Sequence, residues 1–460
     1  MPESSVRPSI IPKSASSVWK LFIIGFIILI LMIPVAWISS LIHERNNRKE
    51  SVVEEIAAKS GGSQVVAGPF ISVPYTVSYL ENGAYKYRTN YLHITPENLK
   101  VTGKVESTTH QRGIFKVPGY TANLSMEGSF PAVIETSEAT GNVIPDWANA
   151  RLTFCIGDDI GLKSLKADFN GTPLIFRGYD GFLTISYLKD KPGASKRIPY
   201  DGKDTSEPAF DCRFAAKLPS AAKLESAKVK LNLILTGTEE LTLLASALNE
   251  SIDLSGNWTS PSFDGDVLPD SRKVSSTGFT AQWNTNYLST GNKPLWTNVD
   301  TTLRLSRLST KFIVMVDSYQ QTTRTLKYCI LFLLLTFMAF FFTETVTRQR
   351  IHPIQYLMVG SSLIVFYLLL LSISEHLGFG WSYLLAAFAV ILQISLYSYT
   401  ILRTRSFAVK IGALLTGIYA FLYVLLRLED SALLVGSIGL FILLGIAMYL
   451  IRNINWYNQE

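Results

Sequence analysis

Residues 19–42 read WKLFIIGFIILILMIPVAWISSLI. The only charge in this stretch is Lys20, at its edge. A helix needs about 20 consecutive apolar residues to cross the roughly 30 Å hydrocarbon core of a bilayer. A cleavable signal peptide has a shorter apolar region and a small-residue cleavage site. This run is longer and stays bulky to its far end, so it reads as an uncleaved membrane anchor. Pro34 predicts a kink, which packed neighbours accommodate.

Five more apolar runs lie toward the other end, at 327–343, 354–374, 379–401, 406–426 and 431–451. The short connections between them carry the orientation signal. Arg7, Lys13, Lys20, Arg348, Arg350, Arg403, Arg405, Lys410 and Arg452 fall on one side, and Arg427 alone falls in the short loops of the other. Basic residues stay on the cytoplasmic side of short loops. The expected layout is therefore a cytoplasmic N-terminus (1–18), a transmembrane helix (19–42), a periplasmic β-rich domain (43–326), a five-helix transmembrane block (327–451) and a cytoplasmic tail (452–460). Trp381, Tyr383, Tyr397, Tyr399, Trp456 and Tyr457 sit near segment ends, where amphipathic rings favour the interface. Polar residues inside the runs are scarce. Gln393 lies near the middle of one, where an interhelical hydrogen bond is the expected role. Glu344, Glu375 and His376 lie at ends, Glu375 and His376 in what reads as a solvated turn. Lys410 reaches the interface by snorkelling.

The 460-residue chain is 48% hydrophobic with a net charge of +6. Its basic excess sits beside the apolar runs, which suits lipid headgroups, and no basic run with interleaved aromatics marks a nucleic-acid footprint.

Between the first and second runs the pattern changes. Residues 49–59 place Val52, Val53, Ile56 and Ala57 on one helical face and Glu54, Glu55 and Lys59 opposite, and Gly61-Gly62 ends the helix. A short stalk continuing from the membrane is expected. Afterwards period-two alternation dominates. Ala122, Leu124 and Met126 alternate with polar residues, Ala227, Val229, Leu231, Leu233 and Leu235 alternate with Lys228, Lys230, Asn232 and Thr236, and Phe279, Ala281 and Trp283 alternate with polar residues. Successive strand side chains face opposite ways, so each segment buries one face and wets the other. Turn signals at Glu81-Asn82-Gly83, Asn170-Gly171 and Asp201-Gly202 separate the runs. The fold class is a membrane protein with an N-terminal membrane helix, a large mainly antiparallel, sandwich-like β domain and a C-terminal bundle of about five membrane helices. Short helices are expected near 145–150 and 241–249.

The three cysteines are Cys155, Cys212 and Cys329. Cys329 lies in an apolar run. Cys155 and Cys212 lie in the polar region. They would pair in an oxidising periplasm, but two separate buried thiols is the reading favoured by composition. No Walker A sequence, G-x-S-x-G elbow or H-E-x-x-H motif occurs. The five histidines, His43, His93, His110, His352 and His376, are scattered with no metal-ligand spacing. Asp264-Gly265-Asp266 with Asp270 lacks the spacing and closing Glu of an EF-hand and reads as a solvated turn. Asp158-Asp159 reads as a surface turn. No cofactor, metal site or catalytic set is expected.

The run VDSYQQTTRTLKYCILFLLLTFMAFFFTE (316–344) and the run RQRIHPIQYLMVGSSLIVFYLLLLSISEH (348–376) resemble the CreD family of bacterial inner-membrane, cell-envelope integrity proteins. So do AGPFISVPY (67–75), RGIFKVPGYTANLSMEGSF (112–130), PSFDGDVLP (261–269) and GFTAQWNTNYLS (278–289). The chain departs from the family pattern at Ser260, where a His usually precedes the Pro-Ser-Phe element. The resemblance implies an envelope protein whose expression follows two-component signalling and envelope or β-lactam stress. It brings no catalytic residues. The family-like positions are Arg348, Arg350, His352, Pro353 and Gln355 at a cytoplasmic loop and helix start, and Glu375 and His376 at the opposite end of that helix.

Three functions are weighed. The first is a non-enzymatic envelope protein whose β domain binds an envelope protein or glycan while the helices anchor it in the lipid bilayer or assemble it as a homo-oligomer. The second is a transporter or channel formed by the C-terminal helices. The third is an envelope hydrolase, which would need His93, His110 or the Asp264/Asp266 region gathered in a cleft with another carboxylate.

Overall fold

The computed structural model describes residues 13–82, 84–131, 144–178, 183–187, 209–219, 227–297, 303–312, 318–347, 351–402, 405–428 and 432–451. The chain divides into a helical unit, 1–49 with 316–460, and a β unit, 50–315. The expected turn at Asp201-Gly202 falls outside the described residues.

The anchor and the stalk form one continuous helix, Lys13–Ser60, with Pro34 inside it. Gly61 ends the helix with a φ of +98°, its amide donating to the Ala57 carbonyl at 3.0 Å. A Cβ there would lie 2.6 Å from the Thr236 carbonyl oxygen, so both the left-handed conformation and the close approach require glycine.

Among the described residues of the helical unit, four helices are long and apolar enough to cross a membrane: the first helix, Pro353–Leu377, Phe379–Leu402 and Arg405–Arg427. A bent pair, taken as one broken span, is long and apolar enough to be a fifth, and Ala432–Ile451 is a further apolar helix. The bent pair changes the expected span at 327–343. Ser318–Lys327 and Cys329–Thr347 are separate helices, meeting at Tyr328 with a bend of 46°. The physical reason is composition. Ser318–Lys327 carries Arg324 and Lys327 and buries only Tyr319, Thr322, Thr325 and Leu326. It is an amphipathic helix, whereas its successor is apolar from Cys329 to Phe342 except for Thr336.

In the β unit, two large sheets pack face to face. Among the described residues one has nine strands and the other eight, with a small three-stranded sheet beside them. The inward faces form one core. Ile71, Val73 and Leu152 come from the nine-stranded sheet, and Val101, Leu124, Leu231 and Trp283 from the eight-stranded one. The strand Lys228–Thr238 shows the cause: KVKLNLILTGT buries Val229, Leu231, Leu233 and Leu235 and exposes Lys228, Lys230, Asn232 and Ile234. Each such side chain contributes about 1.5–3 kcal/mol when withdrawn from water. Pairing is mainly antiparallel. The exceptions are parallel contacts of Gln64–Glu81 with Glu240–Leu244, Asn98–Arg112 with Asn249–Gly256, and a short Leu303–Arg304 contact. The Asn170-Gly171 turn is present, with φ of +50° and +83°.

The segment 241–249 is not helical. Glu240–Leu244 is an interior strand, flanked by Gln64–Val66 on one side and Arg307–Lys311 on the other. Pairing on both edges overrides the helical propensity of its leucines. The loop that follows is fastened by Glu250, which accepts the Ser246 amide at 2.8 Å, and by Asn292, which donates to the Ala245 and Ala247 carbonyls at 3.0 Å. Cys155 and Cys212 are not separate thiols: the structure joins them, with Cα atoms 4.3 Å apart. Both cysteines are fully buried, inside a small second core with Phe70, Ile185 and Trp296. The expected short helix near 145–150 is a 3-10 turn, Trp147–Asn149.

Candidate functional site

The helical unit places a carboxylate near each end of the Pro353–Leu377 helix, and each is held the same way. Glu344 pairs with Lys20 and accepts the Tyr356 hydroxyl at 3.1 Å. Glu375 lies 3.9 Å from the Arg45 guanidinium and accepts the Tyr319 hydroxyl at 3.0 Å. Lys20 and Arg45 lie about 37 Å apart along one helix, and Tyr356 and Glu375 about 28 Å apart along another, at 1.5 Å per residue. The two clusters are thus separated along these helices by about the thickness of a bilayer core. Glu375 is therefore not in a solvated turn as expected, whereas His376 is exposed. Gln393 makes no interhelical hydrogen bond among the described residues. It lies exposed on the outer face of Phe379–Leu402.

An apolar cleft of about 740 Å3 opens between Cys329–Thr347, Arg405–Arg427 and Ala432–Ile451, lined by Phe332, Leu414, Phe421 and Ile442. Among the described residues no charged side chain lines it.

In the β unit, His93 is fully buried, its Nδ1 2.8 Å from the Ser72 hydroxyl, which lies 2.9 Å from the Thr153 hydroxyl. The ring stacks on Trp296 with centroids 4.3 Å apart. Burial drives its pKa down to about 3. A serine beside a histidine is the contact a nucleophile needs. Here Ser72, His93 and Thr153 all have no solvent exposure, so the trio serves packing. Sequence reasoning missed Ser72 because nothing in the sequence marks it as the partner of His93. His110 is elsewhere, in the hairpin formed by Asn98–Arg112 and Phe115–Ser129, close to Gly119. Asp264 is not in a solvated turn. It lies in the strand Ser262–Gly265, pairs with Lys311 and sits 4.0 Å from the buried Arg307 guanidinium. The Lys311 ammonium holds its carboxyl below the usual range. Asp266 accepts the Arg307 amide at 2.9 Å, and Asp270 accepts the Asn284 amide at 2.8 Å. These carboxylates are occupied by cations and amides of the chain itself. Among the described residues no group of three or more His, Cys, Asp or Glu could hold a metal. Asp158 lies in a turn, as expected, where it accepts the Ile160 and Gly62 amides at 2.9 and 2.8 Å.

Two surfaces of the β unit remain open. The outer face of the eight-stranded sheet carries a polar row in register, Asn284, Ser251, Lys100, Glu127, Lys230 and Asp168, beneath a groove of about 880 Å3. Its charges are largely satisfied within the row, with Lys230 2.7 Å from Glu127.

The second surface is a projecting ribbon. Gln64–Glu81 and Ala84–Ile94 pair from Ile71/Ile94 out to Glu81/Ala84. Beyond Tyr75/Asn90 no other strand among the described residues pairs with either edge. Leu80 opposes Tyr85, and Ser78 opposes Tyr87, so Leu80, Tyr85 and Tyr87 share a face at 65%, 73% and 74% exposure. Tyr79, Lys86 and Arg88 occupy the other face. At the ribbon's base lies a groove of about 670 Å3, lined by Tyr75, Tyr91, Asp146, Asn149 and Arg151. Tyr75 is buried and Tyr91 half-buried there, while Asp146 and Asn149 are exposed, Asn149 donating to Asp146 at 2.7 Å and accepting from Lys217 at 3.2 Å.

The family model for inner membrane protein CreD matches residues 16–457. The chain belongs to the CreD family. Inner membrane protein CreD of Escherichia coli (strain K12) is 31% identical to it over 452 residues, covering 95% of this chain and 93% of the relative. Both descriptions name an inner membrane protein and no reaction. This CreD-family chain is accordingly a membrane protein with several apolar helices and a large β unit between them.

Of its family-like positions, Arg348 and Arg350 lie outside the described residues. His352, Pro353 and Gln355 form a helix start. The His352 ring Nδ1 accepts the Ile354 amide at 3.3 Å, Pro353 occupies the first turn, and Gln355 Oε1 accepts the His352 amide at 2.9 Å. This is a capping box with histidine in place of serine or threonine. Glu375 belongs to the Arg45 cluster. The family-like motif in this helix thus reads as end-fastening.

Proposed function

We propose that this chain is a non-enzymatic, multi-pass inner-membrane protein that supports envelope integrity, its β unit lying in the periplasm and binding an envelope glycan through the tyrosine ribbon and the groove at its base. The carrying observation is the ribbon itself. An isolated two-stranded ribbon is marginal in water, and this one exposes Leu80, Tyr85 and Tyr87 together. Sugar rings present C–H faces that stack on the exposed Tyr85 and Tyr87, and hydroxyls that suit the exposed Asp146 and Asn149. The self-paired polar face of the eight-stranded sheet offers no comparable stacking surface.

The layout favoured has six spans with both termini cytoplasmic. Alternating spans from that start bring Lys20, Glu344 and Tyr356 to the inner side and Arg45, Tyr319 and Glu375 to the outer side, in keeping with the two clusters. A transporter reading gains no support from the apolar cleft or from the outward-facing Gln393. A hydrolase reading gains none from the buried His93.

The test is co-sedimentation of the full-length protein in nanodiscs with purified peptidoglycan sacculi. The expected result is retention by sacculi, lowered about ten-fold by Tyr85→Ala/Tyr87→Ala and unchanged by Lys100→Ala/Lys230→Ala. Equal sedimentation with and without sacculi would overturn the glycan assignment, and equal retention of all variants would move the site off the ribbon.

A further inference from the structure

Polar side chains on the outer faces of the membrane helices mostly return their hydrogen bonds to their own backbone. The Ser362 hydroxyl donates to the Met358 carbonyl at 3.1 Å, Thr416 to Gly412 at 2.8 Å and Ser437 to Leu434 at 2.9 Å. A hydroxyl can do this because its reach is short. Gln393 does not. Its side chain makes no hydrogen bond among the described residues, and it is exposed near the midpoint of Phe379–Leu402. A primary amide brings two donors and one acceptor to that depth. Lipid tails satisfy none of them, and an unsatisfied polar group in hydrocarbon is costly.

Its surroundings suit close packing. Leu385, Ala389, Leu392, Leu396 and Tyr399 are all exposed beside Gln393, spaced four, three, four and three residues apart. That is the spacing of a helix–helix seam. Ala389, one turn before Gln393, is small enough to let a second backbone approach.

We propose that this face of the Phe379–Leu402 helix is a homodimer interface in which Gln393 pairs with Gln393 of a second copy. The choice of occupant follows from symmetry. Two copies inserted with the same topology place Gln393 at the same depth, and a two-fold axis along the membrane normal brings the same face of both helices together. An amide is self-complementary: the NH2 of one donates to the carbonyl of the other. A lipid has no such group, and an unrelated protein would have to bring a matched polar group to that level.

The experiment is single-molecule photobleaching of the fluorescently labelled full-length protein in liposomes, across a dilution series of protein in lipid. The wild-type protein is expected to show two-step bleaching that gives way to one step on dilution. Gln393→Leu removes the amide and keeps the bulk and is more lipophilic, so it inserts at least as well. It is expected to shift the dimer midpoint roughly three- to ten-fold toward higher protein density. Gln393→Asn is expected to keep most of the association. Cysteine at 389 or 396 is expected to crosslink under oxidant, whereas cysteine at 365 or 368, outward on a different helix, is expected not to. One-step bleaching of the wild-type protein at all densities would overturn the proposal. So would a midpoint unmoved by Gln393→Leu, or crosslinking favoured at 365 and 368.

Discussion

Glu250 is a residue whose environment writes a pH dependence into the β unit. It is fully buried and accepts backbone amides from the loop that begins at Ser246. Burial raises its carboxyl from 4.5 to about 7. Between those values the folded chain holds a proton that the unfolded chain has released, so this group's contribution to stability falls as pH rises through the window and is flat above it. The loss across the window is on the order of 3 kcal/mol. The substitution Glu250→Gln keeps an accepting oxygen and removes the ionisable group. Thermal unfolding at pH 5 and pH 8 should show a smaller drop in Tm for the variant than for the wild-type protein. His93, with its pKa lowered to about 3, works in the opposite direction by losing stability as pH falls below 6.5. It is present in both proteins and cancels from the comparison. An identical pH slope in the two proteins would remove Glu250 as the source. None of this was legible in the sequence, where Glu250 is one acid in a polar stretch. Its environment comes from a loop fastened on the far side by Asn292, and no local pattern encodes that. Gln393 is the converse. Its depth could be read from the apolar run, but the direction it faces depends on how the helices pack.

The His352-Pro353-x-Gln355 start shows what can be read at the level of an element. Pro353 marks the first turn in the sequence alone. That His352 is the cap emerges only from the ring nitrogen facing the Ile354 amide. Loss of an N-cap costs about 1 kcal/mol. His352→Ala is therefore expected to lower the thermal stability of the full-length protein in detergent by that order, and His352→Ser to restore most of it. If serine fails to restore stability or envelope function, histidine has a role beyond capping. The same mixture holds along the chain. Strands such as Lys228–Thr238 were legible because one face meets a core and the other water, which imposes strict alternation. Glu240–Leu244 was not, because it is paired on both edges and mostly buried, and its polar–apolar alternation runs only from Glu240 to Leu243 before Leu244 breaks it. The break at Tyr328 was missed for a related reason. Hydropathy averages over a window and blurs the step from the amphipathic Ser318–Lys327 to the apolar helix after it.

For the whole molecule, one charge pattern and two clusters bear on the same arrangement. Basic residues gather at one set of loops, and the carboxylates Glu344 and Glu375 are held by opposite ends of the first helix. A layout in which the spans alternate and the first helix runs outward satisfies both. It also sends the β unit to an oxidising compartment, where the Cys155–Cys212 pairing would persist. These consequences can be measured together on a Cys329→Ser background. Cysteine placed at His376 should react with a membrane-impermeant thiol reagent in intact spheroplasts. Cysteine placed at Arg405 should react only after permeabilisation. Mass spectrometry of the protein taken from cells under acid quench should find Cys155 and Cys212 joined, and replacing both with alanine should destabilise the β unit by up to about 4 kcal/mol for a loop of this size. Reaction at 405 but not 376 would invert the helical unit and place the β unit in the cytoplasm. Free thiols at Cys155 and Cys212 would argue for the same inversion from a separate chemistry, because a reducing compartment keeps cysteines apart even when the fold brings them within bonding distance.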